Sequence, residues 1–312
     1  IYVFCNVVST AIWTAFLFTT DFNPMLMMMI CYAIFQAPII SFLEAFTMDV
    51  LGGEKKSYGR LRVWGSISFI AVVLVLGKLI EIVSIEIIVV LILGGSVLVS
   101  LISPSVPRLA SKPAGIISRG SSRFIKPRVV LFLACAFLML VSHGAYYGFF
   151  SIHLENLGYP SAFIGAAWAL ASGAEIMVMI QSERIFNRFS LERVLLFSFV
   201  VAVARWLILY FAESGVLILM SQGLHAVTYG SFHMASILYV DRMAPEDAKT
   251  MGQAVNNALT YGLGLMVGFF LNGYLYEKTG SHLLFLGSAA IAALAAALFA
   301  IGHLAGRKAH NA

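Results

Sequence analysis

Apolar runs of about twenty residues recur along almost the whole chain, split by short breaks of charge, Pro or Gly. A helical crossing of a hydrocarbon core about 30 Å thick takes about 20 residues, so each run is long enough to span a bilayer. The breaks delimit ten spans at roughly 1–20, 24–50, 59–80, 84–103, 128–153, 160–184, 191–211, 215–240, 248–275 and 281–305. Of the 312 residues 60% are apolar and 11% charged, against about 25% charged in a soluble domain. That leaves almost nothing for an aqueous domain. The runs are also continuous, as at 27–30 and 292–297, whereas the strands of a membrane barrel alternate apolar and polar residues. The expected fold is an all-α polytopic membrane protein with about ten transmembrane helices.

Lys and Arg alternate in number from one break to the next. One side collects Lys55, Lys56, Arg60 and Arg62, then a cluster from Arg108 to Arg128, then Arg184, Arg188 and Arg193, then Arg242 and Lys249, and last Arg307 and Lys308. Lys78 and Lys278 stand on the other side and Arg205 lies within a span, which leaves seventeen of the 20 on one side. The positive-inside rule puts that side in the cytoplasm of a cell whose inner membrane the chain crosses many times. The longest break is a polar stretch that divides the chain into a four-helix bundle at 1–107, a cytoplasmic linker at 108–127 and a six-helix bundle at 128–312. The net charge of +5 follows from the same asymmetry and calls for no nucleic-acid partner. The chain opens at Ile1 inside an apolar run, with no basic lead or cleavage site. The expectation is an N-terminus cut away ahead of span 1, with an even number of helices missing.

Enzyme signatures are missing. There is no HisGluxxHis helix, Walker A loop, GxSxG elbow or CxxC pair, so no catalysis, cofactor or metal is expected. Cys5, Cys31 and Cys135 sit in apolar runs and read as packing. Gly144 with Gly148, and Gly264 with Gly268, form two GxxxG motifs whose small residues permit close helix contact.

Ionisable residues inside spans carry the functional signal, because each costs a few kcal/mol near the bilayer centre unless it faces a polar cavity or a partner. These are Glu44, Glu175, Arg205, His143, His225 and His233, with Arg62 near the start of span 3. Glu44 and Arg62 stand on consecutive antiparallel spans and are expected to pair. Arg205 and His225 lie about 10 Å and about 15 Å from the same membrane face, at 1.5 Å per residue, and so at similar depth. Gln222, His225, Tyr229 and His233 form one polar stripe on span 8, as do Trp168, Ser172 and Glu175 on span 6. His143, Tyr147 and Phe150 share a face of span 5 that suits either a cavity for an organic solute or an aromatic belt at the interface.

The stretch 58–69, TyrGlyArgLeuArgValTrpGlySerIleSerPhe, resembles a helix entry of the lactose permease and 3-phenylpropionate permease group of the major facilitator superfamily. Further matching stretches are 143–150, 168–175, Arg205–Trp206, Leu224–His225 and 273–280. The resemblance implies two bundles of six helices around a central site, of which this chain lacks the first two helices. It implies proton-coupled symport of a small organic solute by a monomer. Glu44 and Arg62 are separated by 18 residues, as are a sugar-binding Glu and Arg in that group, and so become candidate anchors. Phe69 falls where a Trp stacks on the sugar there, a departure that argues against a sugar. His143, Tyr147 and Trp168 become further candidate substrate contacts. Arg205 and His225, 20 residues apart, match an Arg and His of the proton site, but Thr228 stands at the place of its proton-carrying Glu. The resemblance then passes proton coupling to Glu175, assisted by Arg205 and His225. An aromatic carboxylate is the expected solute, a sugar or nucleoside the alternative, and a non-transporting substrate sensor the rival from another class.

Overall fold

The structure is a computed structural model describing residues 1–50, 55–106, 126–245 and 249–311, all helices and short connections. In a bilayer no water can satisfy backbone N–H and C=O groups, so a continuous apolar run must close its own i to i−4 bonds. Accordingly α1 (Tyr2–Thr14), α2 (Phe22–Val50), α3 (Lys55–Ile82) and α4 (Ile87–Ile102) fill the first half. They are followed by α5 (Pro127–Asn156), α6 (Ser161–Arg188) and α7 (Leu191–Phe211). Next come α8 (Gly215–Gly223) and α9 (Phe232–Met243), joined through a π-helical segment at Ala226–Ser231. The last rods are α10 (Lys249–Asn256), a second π-helical segment at Asn257–Gly264, and α11 (Leu265–Asn311).

Among the described residues, seven stretches are both long and apolar enough to cross a membrane, and the last of them, Met251–Ala305, runs 55 residues. Gly280 breaks that stretch, with φ 71° and ψ 178°, a backbone conformation that suits only glycine. With its two arms counted separately, and with the short apolar helix Tyr2–Leu17 and the composite rod α8–α9, the described residues fill the ten places read from the sequence.

The ends of individual helices follow local chemistry. Lys126 is extended and Pro127 opens α5, where a missing N–H costs nothing. At the other end, Gly158 (φ 84°) lets the Tyr159 N–H reach Leu154 O at 3.0 Å and the Gly158 N–H reach Glu155 O at 2.8 Å. This is the paired closure that a left-handed residue after a helix permits, and Pro160 then starts the turn into α6. Ser190 caps α7 by accepting from the Arg193 N–H, and the adjacent Glu192 pairs with Arg242.

Two compact units result, one of Ile1–Ser68 with Lys78–Ala114 and one of Phe69–Gly77 with Gly115–Ala312. The linker expected at 108–127 lies outside the described residues apart from Lys126 and Pro127. In the first unit α1 is tied to α4 by Thr10 Oγ1 with Ser100 Oγ (2.8 Å) and by Trp13 Nε1 donating to Val89 O (3.0 Å). In the second unit α5 is the central rod, with buried residues along its length from Val129 to Leu154. Its own Phe132 and Met139 pack with Phe199, Trp206, Phe232 and Phe285 of other helices, all at exposures of 1% or less.

The two GxxxG motifs meet each other. A Cβ on Gly144 would stand 2.5 Å from the Gly268 carbonyl carbon, and one on Gly268 would stand 2.7 Å from Val141 O. Backbone touches backbone where α5 crosses α11, the contact that small residues four apart allow.

Candidate functional site

Arg205 is the most informative residue of the second unit, since its guanidinium is buried to 0% exposure within a membrane span. A buried cation persists only with partners for its five N–H donors. Its Nε donates to the Ser221 carbonyl (3.0 Å), Nη2 to Gln222 Oε1 (3.2 Å), and Nη1 to Thr228 Oγ1 (3.2 Å) and His225 Nδ1 (2.8 Å). The Tyr146 ring lies beneath it, 4.1 Å from Cζ to centroid, and Tyr146 Oη donates to the same Gln222 oxygen (2.9 Å). Trp206 covers another side at 4.8 Å.

This geometry sets the state of His225. A guanidinium can only donate, so Nδ1 must accept, and in the neutral ring the proton sits on Nε2. That nitrogen stands 2.7 Å from Glu175 Oε1. His225 therefore bridges the cation and the acid, taking a hydrogen bond from Arg205 and giving one to Glu175. The side chain of Glu175 is 18% exposed and that of His225 3%, so the acid is the accessible end of the chain. Arg205 and His225 meet as their equal depth on antiparallel spans requires. Thr228, at the position where the resembling group has an acid, is a neutral acceptor for Arg205.

Aromatic rings wall the bridge. His225 stacks on Tyr229 (5.3 Å, 16°), and Tyr229 lies parallel to His233 (6.0 Å, 5°). Tyr147 stacks on Trp168 (6.2 Å, 19°) and meets His225 edge-on (6.1 Å). His143 lies 6.2 Å from both His225 and Tyr229. Trp168 Nε1 is held by Ser151 Oγ (3.0 Å). His143, Tyr147, Trp168, Glu175, Arg205 and His225, which the sequence divides into solute contacts and a proton site, thus form one cluster. The widened turn at Ala226–Ser231 belongs to it, for it carries Thr228 and Tyr229; π-helical turns concentrate at functional sites.

The remaining candidates are Glu44, Arg62 and Phe69. Glu44 lies on α2 and Arg62 on α3, but their side chains, and with them the expected pair, lie outside the described residues. Phe69 is 45% exposed on α3. Two participants are absent from the candidates that the sequence supplies: Tyr146 and Tyr261. Tyr146 follows His143 by three residues, one helical turn, so the spacing that selects Tyr147 selects it equally. Tyr261, whose Oη bonds His233 Nδ1 at 2.5 Å, has no signal in its own apolar surroundings.

Removal of the buried cation has a defined expected cost. Arg205→Met removes the cation that offsets Glu175 and one donor to each of four acceptors, of which Gln222 Oε1 keeps a second, Tyr146 Oη; losing one partner of a buried pair costs about 3–5 kcal/mol. The thermal midpoint of the purified protein should fall in the order wild type, Arg205→Lys, Arg205→Met. Adding Glu175→Gln to Arg205→Met should restore part of the loss, because both charges then vanish together. Equal midpoints for all variants would refute the arrangement.

Comparison with known proteins supplies the context. The MFS_1 like family matches over residues 1–287. Escherichia coli (strain K12) has a similar protein, a probable 3-phenylpropionic acid transporter, 28% identical over 260 residues that cover 82% of this chain and 68% of that one. A maltose permease of Geobacillus stearothermophilus is 25% identical over 249 residues, covering 78% of this chain and 62% of the permease. The chain thus spans about two thirds of the length of these curated relatives. Among solved structures, the nucleoside transporter NupG (D323A mutant) superposes with a TM-score of 0.84 at 15% identity, over 96% of this chain and 82% of that one, a likeness of fold.

Proposed function

The chain belongs to the MFS_1 like family, and from that premise we propose that it is a secondary active transporter coupling the entry of protons to that of an aromatic carboxylate. The observation that carries the reading is the Arg205–His225–Glu175 bridge inside an aromatic cluster. With Glu175 ionised, the guanidinium and carboxylate offset each other through the imidazole. A proton on Glu175 removes the negative end while His225 Nε2–H keeps an oxygen to donate to, so a buried cation is left with excess charge. An arriving carboxylate restores the balance, and its ring finds Tyr147, Trp168 and Tyr229. Each ligand then favours the other by the same coupling free energy, which ties the two fluxes together. Glu175, Arg205 and His225 are the proposed proton-coupling residues, and His143, Tyr147 and Trp168 the proposed solute contacts.

Glu44, Arg62 and Phe69 enter as solute contacts on the resemblance alone. The protein is proposed to act as a monomer in the cell's inner membrane with its basic side in the cytoplasm. Alternating access of the solute site is the mechanism that transporter folds of this kind support.

Charge accounting tests the solute class. One proton with one carboxylate moves no net charge, whereas a proton with a sugar or nucleoside moves one positive charge. In proteoliposomes holding the protein, uptake of labelled 3-phenylpropionate should follow an imposed pH gradient and be indifferent to a valinomycin-clamped potential. Uptake of maltose or uridine driven by the potential would shift the reading to a neutral solute. Solute binding with neither uptake nor a change of internal pH would make the protein a sensor, the class that Thr228 at the usual acid position favours.

A further inference from the structure

Among the described residues, three buried side-chain nitrogens have no hydrogen-bond partner: His143 Nε2, His153 Nε2 and Asn256 Nδ2. His153 lies with Ser281 and His282, and Asn256 beside Thr260. His143 alone of the three belongs to the cluster around His225. We propose that the solute itself supplies the missing partner, donating a hydroxyl or N–H hydrogen bond to His143 Nε2, so that the protein selects hydroxylated aromatic solutes over the same ring without the donor. The proposal deepens the transport reading above and rests on that cluster being the solute site.

The tautomer follows from geometry. His143 Nδ1 lies 2.8 Å from Met139 O, one turn back on α5. A carbonyl only accepts, so Nδ1 carries the hydrogen, and in the neutral ring Nε2 presents a lone pair. Nε2 is also the atom of the ring farther from the helix backbone. The ring packs edge-on against Trp206 (4.9 Å) and lies 6.1 Å from Tyr147 and 6.2 Å from Tyr229. His143 itself is fully buried, while its neighbours Tyr147 and Tyr229 are partly exposed.

Four donor groups of the surrounding protein are engaged elsewhere. Tyr146 Oη gives its hydrogen to Gln222, Trp206 Nε1 to Ser142 Oγ, Arg205 its hydrogens to four acceptors, and His225 its Nε2 hydrogen to Glu175. A buried acceptor left unmade costs free energy that a matching donor recovers, and a solute lacking the donor leaves it unrecovered. Discrimination by a site polar group of this kind is stronger than any the apolar walls can give, because an apolar pocket barely distinguishes a ring from its hydroxylated form.

The test measures binding of 3-phenylpropionate and its 2-, 3- and 4-hydroxyphenyl isomers to the purified protein, wild type and His143→Phe. One isomer should bind the wild type about tenfold more tightly than the parent, the effect of one well-placed hydrogen bond. In His143→Phe the preference among the isomers should vanish, whatever the change in affinity for the parent. His143→Gln, which keeps an acceptor, should retain part of it. Wild type that binds no isomer better than the parent overturns the proposal, as does a preference that survives His143→Phe.

Failure of all four compounds to bind would defeat the carboxylate reading instead, and the same comparison then passes to uridine and its 2′-, 3′- and 5′-deoxy forms. A hydroxyl preference there that is lost in His143→Phe upholds the role of Nε2, and none overturns it. Without solute, His143→Phe should unfold at the wild-type midpoint, because Met139 O still accepts from Ser142 Oγ (2.6 Å). A lowered midpoint with an unchanged hydroxyl preference would make His143 a structural residue and sink the proposal.

Discussion

Glu175→Gln is expected to reduce the accumulation ratio of a transported solute to about one while leaving exchange across the membrane intact. The substitution is close to isosteric and keeps an amide oxygen where His225 Nε2–H donates, 2.7 Å away, so the cluster should keep its shape. What disappears is the group that gains and loses a proton. His225 stands between Glu175 and Arg205, and Arg205 is held in addition by the Ser221 carbonyl, Gln222 and Thr228. With the imidazole interposed, protonation of Glu175 need not disrupt the anchoring of the cation. Exchange of one solute molecule for another needs no net proton release and should persist. Counterflow of labelled solute together with uptake against a gradient reads both properties from one vesicle preparation. A Glu175→Gln protein that still concentrates solute would remove Glu175 from the mechanism and move the coupling role to His225.

Gly144→Leu should prevent assembly of the second unit. The atoms a side chain would meet at Gly144 are the Gly268 Cα, carbonyl carbon and oxygen at 2.5–2.8 Å, all backbone, and backbone cannot rotate aside as a side chain can. Overpacking against side chains costs about 1–3 kcal/mol, so a clash that must separate two helices should exceed the top of that range. Gly268→Leu should fail in the same way, with Val141 O at 2.7 Å. Gly148→Ala provides the control, because its new Cβ would meet only the edge of the Phe269 ring at 3.2 Å. Recovery of detergent-stable protein and its thermal midpoint measure all three. A Gly144→Leu protein with the wild-type midpoint would show that α5 and α11 cross with room to spare.

Much of this site is legible in the amino-acid sequence, for reasons that differ by residue. Arg205, His225 and Glu175 stand out because a charge in a bilayer demands a partner, and equal depth on antiparallel spans narrows the choice for Arg205 to His225. The intervening position of His225 is not legible, since depth along a rod says nothing about direction around it. Tyr146 and Tyr147 both follow His143 at helical spacing, and a pattern of faces cannot rank neighbours one step apart. Tyr261 and the parallel stack of Tyr229 on His233 depend on the π-helical turns at Ala226–Ser231 and Asn257–Gly264. Helical periodicity assumes about 3.6 residues per turn throughout, so it has no means of placing a wider turn.

The amino-acid sequence by itself determined the helical spans, their number and the existence of two close-packing GxxxG motifs. These properties belong to each segment alone: a run of apolar residues enters the bilayer according to its own summed transfer free energy and closes its own backbone bonds. Only the tertiary structure decided that Gly144 faces Gly268, that Arg205 reaches Glu175 by way of His225, and that the distal nitrogen of His143 is left unpartnered. Such relations depend on the rotation of each helix about its axis and on where rods cross. One residue of shift turns a side chain by about 100°, and the rotation that prevails is chosen by packing among several helices at once, a quantity no single segment contains.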